Sequence, residues 1–158
     1  MEKFKKTLVP ILCFIMMGCS CQNTSNSKAV LDKRSKFFVS YMRETFPEVE
    51  IKDGDYLFIL PTGCWNCVRS MTEFLLSNES LIKGKYNAIL VSQYTLGRLS
   101  EDILHIDDNV LCDQSNKLDR MAFGISGISI LKIKNKKIVA YKSMTVETFQ
   151  NPEKFFEN

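Results

Sequence analysis

Cys64 and Cys67 are the two residues of this chain best placed to do chemistry. Only Trp65 and Asn66 separate them, so the two thiols can close a disulfide and open it again. Their setting matters as much as their spacing. An apolar run, Tyr56 to Pro61, precedes them, and a helical pattern of Val68, Met71, Phe74 and Leu75 follows. Unpaired N–H groups and the dipole at a helix N-terminus favour a thiolate over a thiol. A strand, a short loop and a Cys-x-x-Cys opening a helix is the context in which this motif reads as redox chemistry. A structural zinc half-site is the other reading. Zinc normally takes four protein ligands, and the chain has one histidine, His105, and no second cysteine pair. His105 is expected at a surface or helix end.

The elements that must position the pair follow along the chain. Val30, Leu31, Phe37, Phe38, Tyr41, Met42 and Phe46 recur at helical spacing from Ala29 to Phe46, and Pro47 ends that helix. The same aromatics could form a docking stripe, but packing of the helix on the domain explains their spacing more simply. Asp53-Gly54 marks a turn. Tyr56 to Leu60 reads as a strand covered on both faces, and Cys64 to about Leu76 as the helix after it. Asn87 to Ser92 is predicted as a second buried strand. Leu96, Leu99 and Ile103 mark another helix, Asn109 to Cys112 a short strand, and Ser115 to Phe123 a short helix. Ile128 to Lys134 and Lys137 to Lys142 flank Asn135-Lys136 as a hairpin. A last helix is expected from about Thr145, as its cap, to Phe156, with Pro152 an irregularity inside it. Parallel strands joined by helices, then an antiparallel hairpin, predict one α/β sandwich with a mixed sheet.

The first residues read as targeting, not fold. Lys3, Lys5 and Lys6 precede ten apolar residues, Leu8 to Met17. That is about half the ~20 residues a spanning helix needs, and it suits a secretory signal. Met16-Met17-Gly18-Cys19 resembles the lipobox of bacterial lipoproteins. The resemblance implies a signal peptide over 1–18, cleavage before Cys19, lipidation of Cys19 and a polar tether over 19–28. An uncleaved anchor, an ordinary signal peptide and modification at Cys21 are the alternatives. The domain then occupies 29–158. Removing residues 1–18 leaves 18 basic and 17 acidic side chains, scattered along the chain, which argues against nucleic-acid binding. Cys21 and Cys112 can pair, stay free or be incidental. Cys112 lies in the run Val110-Leu111-Cys112 and is expected to act as a small hydrophobe.

Two separated stretches resemble the thioredoxin superfamily: Leu57 to Cys67, and Cys112-Asp113-Gln114 with Phe123 to Ile133. The resemblance covers roughly residues 48 to 156. It implies a thioredoxin-like three-layer sandwich, mixed central sheet, with the helix at 29–46 as an extra N-terminal element. Cys64 would be the exposed nucleophile and Cys67 the resolving thiol. Trp65 and Asn66 would tune the pair, and Ile128 and Ser129 would shape the substrate groove. No cofactor and no metal are implied. The partners implied are a protein disulfide substrate, a thiol–disulfide electron-exchange partner and a membrane reached through the lipid. Location would be the cell envelope, facing the periplasm or outside, and the expected activity is reduction of disulfides in exported proteins. A non-enzymatic lipoprotein with a structural Cys64–Cys67 disulfide is the alternative.

Two departures from the family pattern stand out. Ser129 occupies the place of the family's cis-proline. A cis bond before a non-proline residue costs roughly 2.5–4 kcal/mol, so a trans Ile128-Ser129 bond is expected. Phe58 occupies the place of the buried acidic residue that relays a proton to the resolving thiol.

Overall fold

The computed structural model describes residues 28–60, 65–97, 101–120, 127–145, 148 and 151–156. For Trp65, Cys67, Val68, Met71, Asp119 and Arg120 it describes the backbone alone. The expected signal segment (1–18) and residues 19–27 of the expected tether lie outside the described residues, and Lys28, the tether's last expected residue, instead opens α1.

Helix α1 (Lys28–Thr45) buries Phe38, Tyr41 and Met42, spaced i, i+3 and i+4, so one stripe of the helix faces the sheet. Phe38 meets the rings of Tyr56 and Phe58 edge-on, at centroid distances of 5.2 and 6.2 Å. Truncating a buried phenylalanine of this kind costs about 3–5 kcal/mol. Phe37 stays exposed on the far side of the helix, with the Lys33 ammonium 5.9 Å from its ring centroid.

Five strands form one mixed sheet: β1 (Gly54–Ile59), β2 (Ala88–Ser92), β3 (Val110–Asp113), β4 (Ile128–Lys134) and β5 (Lys137–Ser143), in the order β3-β2-β1-β4-β5. β1 runs parallel to β2, and β2 to β3, while β4 is antiparallel to both β1 and β5. Side chains alternate between two cores. Leu57, Ile59, Ile89 and Val91 enter one, with Leu75 of α2 (Trp65–Ser77), Leu96 of α3 (Gln93–Leu96) and Ile103 of a 3₁₀ turn (Glu101–His105). Tyr56, Phe58, Leu60 and Leu90 enter the other, with α1 and Leu118 of α4 (Lys117–Arg120). The result is a helix–sheet–helix sandwich. The closing helix α5 (Pro152–Phe156) adds Phe155 and Phe156 to the α2 side.

Local chemistry explains several boundaries. The Ser92 hydroxyl accepts the Thr95 N–H at 3.1 Å and caps α3. Asn135 and Lys136 both have positive φ, 51° and 59°, the hairpin turn whose twist matches its strands. Gly54 sits at φ +136° with the Asn87 side chain against it. Pro152 begins α5 as its first residue, where a missing N–H costs nothing. The helix expected around Leu96, Leu99 and Ile103 resolves as two short pieces, α3 and the 3₁₀ turn, with residues 98–100 outside the described residues. Among the described residues no helix is long and apolar enough to cross a membrane.

Candidate functional site

The chain reverses its direction of sheet growth at β1. Leaving β1, it adds β2 and then β3 on one side, and returns to add β4 on the other. Ligands of open α/β sheets bind at such a switch point, outside the carboxyl ends of the parallel strands. The carboxyl end of β1 leads into residues 61–64, and α2 begins at Trp65. Cys64 lies outside the described residues. Cys67 is the third residue of α2, within its first turn, and Asn66 is exposed beside it. Five Cα–Cα steps from Leu60 to Trp65 span at most about 19 Å, which keeps that first turn near the end of β1.

The amino end of β4 lies at the same place. Leu60 N–H donates to the Gly127 carbonyl at 3.0 Å, and Gly127 has φ +62°, a conformation glycine adopts freely. Ile128 pairs with Ile59 and turns into the core on the α2 side, 3% exposed. Ser129 pairs with Phe58 and is fully buried. Alternation puts its side chain on the α1 side with Leu131, its Oγ donating to Ser143 Oγ at a long 3.4 Å. No cis peptide bond occurs among the described residues. Phe58 and Ser129, the two departures seen in the sequence, are therefore cross-strand neighbours.

The β2 and β3 ends carry polar groups that sequence reasoning did not single out. Asp113 is fully buried at the end of β3. It accepts from Ser115 N–H at 2.9 Å, Ser115 Oγ at 2.6 Å and Leu118 N–H at 2.6 Å. That shell of donors ties the β3–α4 turn and is a positioning role. The local signal was there to find, in an aspartate two residues before a serine at a strand end. Tyr94 projects from α3 and is 48% exposed, its N–H donating to Asn116 Oδ1 at 2.8 Å.

Cys112 lies in the row Ile128–Ile59–Val91–Cys112 across the sheet, on the α2 side. It is a free, half-buried thiol whose Sγ donates to Gln93 Oε1 at 3.4 Å. Burial, and then the neighbouring Asp113 charge, push its pKa above that of an ordinary thiol. Both effects disfavour the thiolate, the reactive form of cysteine. His105 ends the 3₁₀ turn and is exposed. Among the described residues no three His, Cys, Asp or Glu side chains gather where a metal ion could sit.

Neither the protein-family models, nor the curated proteins, nor the solved structures gave a match to this chain.

Proposed function

We propose that the chain is a thioredoxin-like thiol–disulfide oxidoreductase of the cell envelope, tethered through lipid on Cys19 and reducing disulfides of exported proteins. The observation that carries the reading is the position of Cys67 in the first turn of α2, directly after the central parallel strand and at the switch point of the sheet. The Cys64 thiolate attacks a substrate disulfide and forms a mixed disulfide. The Cys67 thiolate then attacks Cys64, releasing the substrate as a dithiol and leaving the Cys64–Cys67 disulfide. An external thiol partner returns the pair to the reduced state. Replacing Cys67 with alanine removes the second step, so the variant should accumulate mixed disulfides with protein substrates, reversible by dithiothreitol. The Cys64→Ala, Cys67→Ala double variant should accumulate none. Equal trapping by both variants would sink the proposal.

A second reading has its own support. Phe58 beside Ser129 offers no carboxylate to take a proton from Cys67, which suits a non-enzymatic lipoprotein with a structural disulfide. Under that reading Cys67→Ala traps nothing and lowers stability by roughly 2–5 kcal/mol, the usual cost of losing a native disulfide.

A further inference from the structure

A shallow concavity rimmed by charged side chains, away from the thiols, runs along the outer face of α1 to the β4–β5 turn. Its volume is about 710 Å³, within the usual range of ligand sites. Four cations line it: Lys36 and Arg43, seven residues apart on one stripe of α1, and Lys136 and Lys137 from the turn. Two carboxylates face them, Asp32 and Glu44. Glu44 is already engaged, accepting from Ser40 Oγ at 2.7 Å and pairing with Lys117 at 3.1 Å. The four cations have no hydrogen bond or ion pair among the described residues.

The floor of the groove is fixed. Buried Ser35 accepts the Ile138 N–H at 2.8 Å while donating to the Leu31 carbonyl at 2.6 Å. Asn135 N–H donates to Asp53 Oδ1 at 2.7 Å and pins the turn from the other side. Lys136 holds a left-handed backbone at a turn position where glycine fits without strain. The strain is retained, and with it an ammonium on the rim of the groove. We propose that this groove binds a phosphate-bearing anion. Its ammonium groups act as point charges, and Arg43 offers the planar fork that matches phosphate oxygens. The phosphate can come from a soluble ester or from a phospholipid headgroup. The turn is at the opposite end of β4 from Ile128, so the thiol end of the sheet stays open in either case.

The test is lysine acetylation of the full chain in neutral detergent at low salt, read residue by residue by mass spectrometry. One arm adds glycerol phosphate, and the other adds phosphatidylglycerol as mixed micelles with the detergent, with phosphatidylcholine mixed micelles as control. Lys83 and Lys154, exposed beside the core on the opposite face of the sheet, are the internal references. With ligand at twice its Kd, Lys36, Lys136 and Lys137 should be acetylated about threefold more slowly, while Lys83 and Lys154 are unchanged. Arg43→Ala should weaken the protection. Protection in both arms assigns the site to a phosphate ester, and protection by phosphatidylglycerol alone assigns it to a membrane headgroup. No protection in either arm, equal protection of the reference lysines, or protection indifferent to Arg43→Ala would each overturn the proposal. Neither arm depends on the state of the thiols.

Discussion

Replacing Ser129 with proline tests this chain's ladder, and the register says what that does. Leu60 N–H donates to the Gly127 carbonyl, so the two form a hydrogen-bonded pair of the antiparallel ladder. Pairs alternate, and Phe58–Ser129 is the next of the same kind. The Ser129 N–H therefore points at the Phe58 carbonyl in the centre of the sheet. Proline removes that donor and leaves the buried carbonyl unsatisfied, at about 1–3 kcal/mol. Its ring also has to fit a central strand, where proline is avoided. The combined loss should be about 3 kcal/mol, or roughly 10 °C in Tm for a domain of this size. Ser129→Ala is the control. This variant keeps the backbone N–H and loses only hydroxyl contacts such as the one to Ser143 at 3.4 Å, so it should lose clearly less than the proline variant, on the order of 1 kcal/mol. Urea unfolding at constant pH, followed by circular dichroism, measures both. A proline variant as stable as wild type would refute the ladder argument and mean that the strand already tolerates a proline there.

Three other outcomes follow from the geometry. Gly54→Ala should cost about 1–3 kcal/mol, because φ +136° strains any side chain and a Cβ would run into the Asn87 amide; thermal unfolding reads it. Tyr86 is pushed up to about 12 by burial and secondarily by Asp55. Its folded value lies above the ordinary ~10, so its contribution is complete below pH 10 and is lost as pH rises towards 12. Wild type should lose on the order of 2–3 kcal/mol over that window relative to Tyr86→Phe, as shown by urea midpoints, and parallel curves for the two proteins would contradict it. Burial, with Asp113 second, raises the Cys112 pKa, so at pH 8 iodoacetamide should alkylate Cys112 more slowly than a free model thiol. A faster rate than the model thiol would be inconsistent with the environment described.

Elements set by local chemistry were legible in the sequence. The hairpin followed from Asn135-Lys136 and the stripe of α1 from its apolar spacing, whereas β1 begins at Gly54, two residues before the apolar run that marked it. The run around Leu96, Leu99 and Ile103 was less informative, because short pieces of α and 3₁₀ helix share apolar residues three to four apart. Ser92, as an N-cap, would have moved the start of α3 to Gln93. The alternation of β4 fixed which core each residue enters only once its pairing with β1 was known, so the burial of Ser129 against Ser143 had no sequence signal. Nor did the pairing of Phe58 with Ser129, which requires residues 71 positions apart to meet. The thiol pair was legible as a motif, and Cys67 falls within the first turn of α2 as its pattern implied. Cys112 is half-buried against the apolar core, as its neighbours suggested, but its link to Gln93 depends on how β2 and β3 align.

The central claim is that Cys64 and Cys67 form a working redox pair, and their equilibrium with glutathione or dithiothreitol buffers tests it most directly. The fraction of Cys64–Cys67 disulfide, trapped by acid and alkylation and read by mass spectrometry, gives the reduction potential. A working pair should titrate between about −270 mV, the value of a thioredoxin-like reductant, and about −120 mV, that of a strong oxidant. The reductase proposed here belongs near the first of these values. A potential below about −300 mV, where structural disulfides of secreted proteins lie, would contradict the account and leave the pair as a staple.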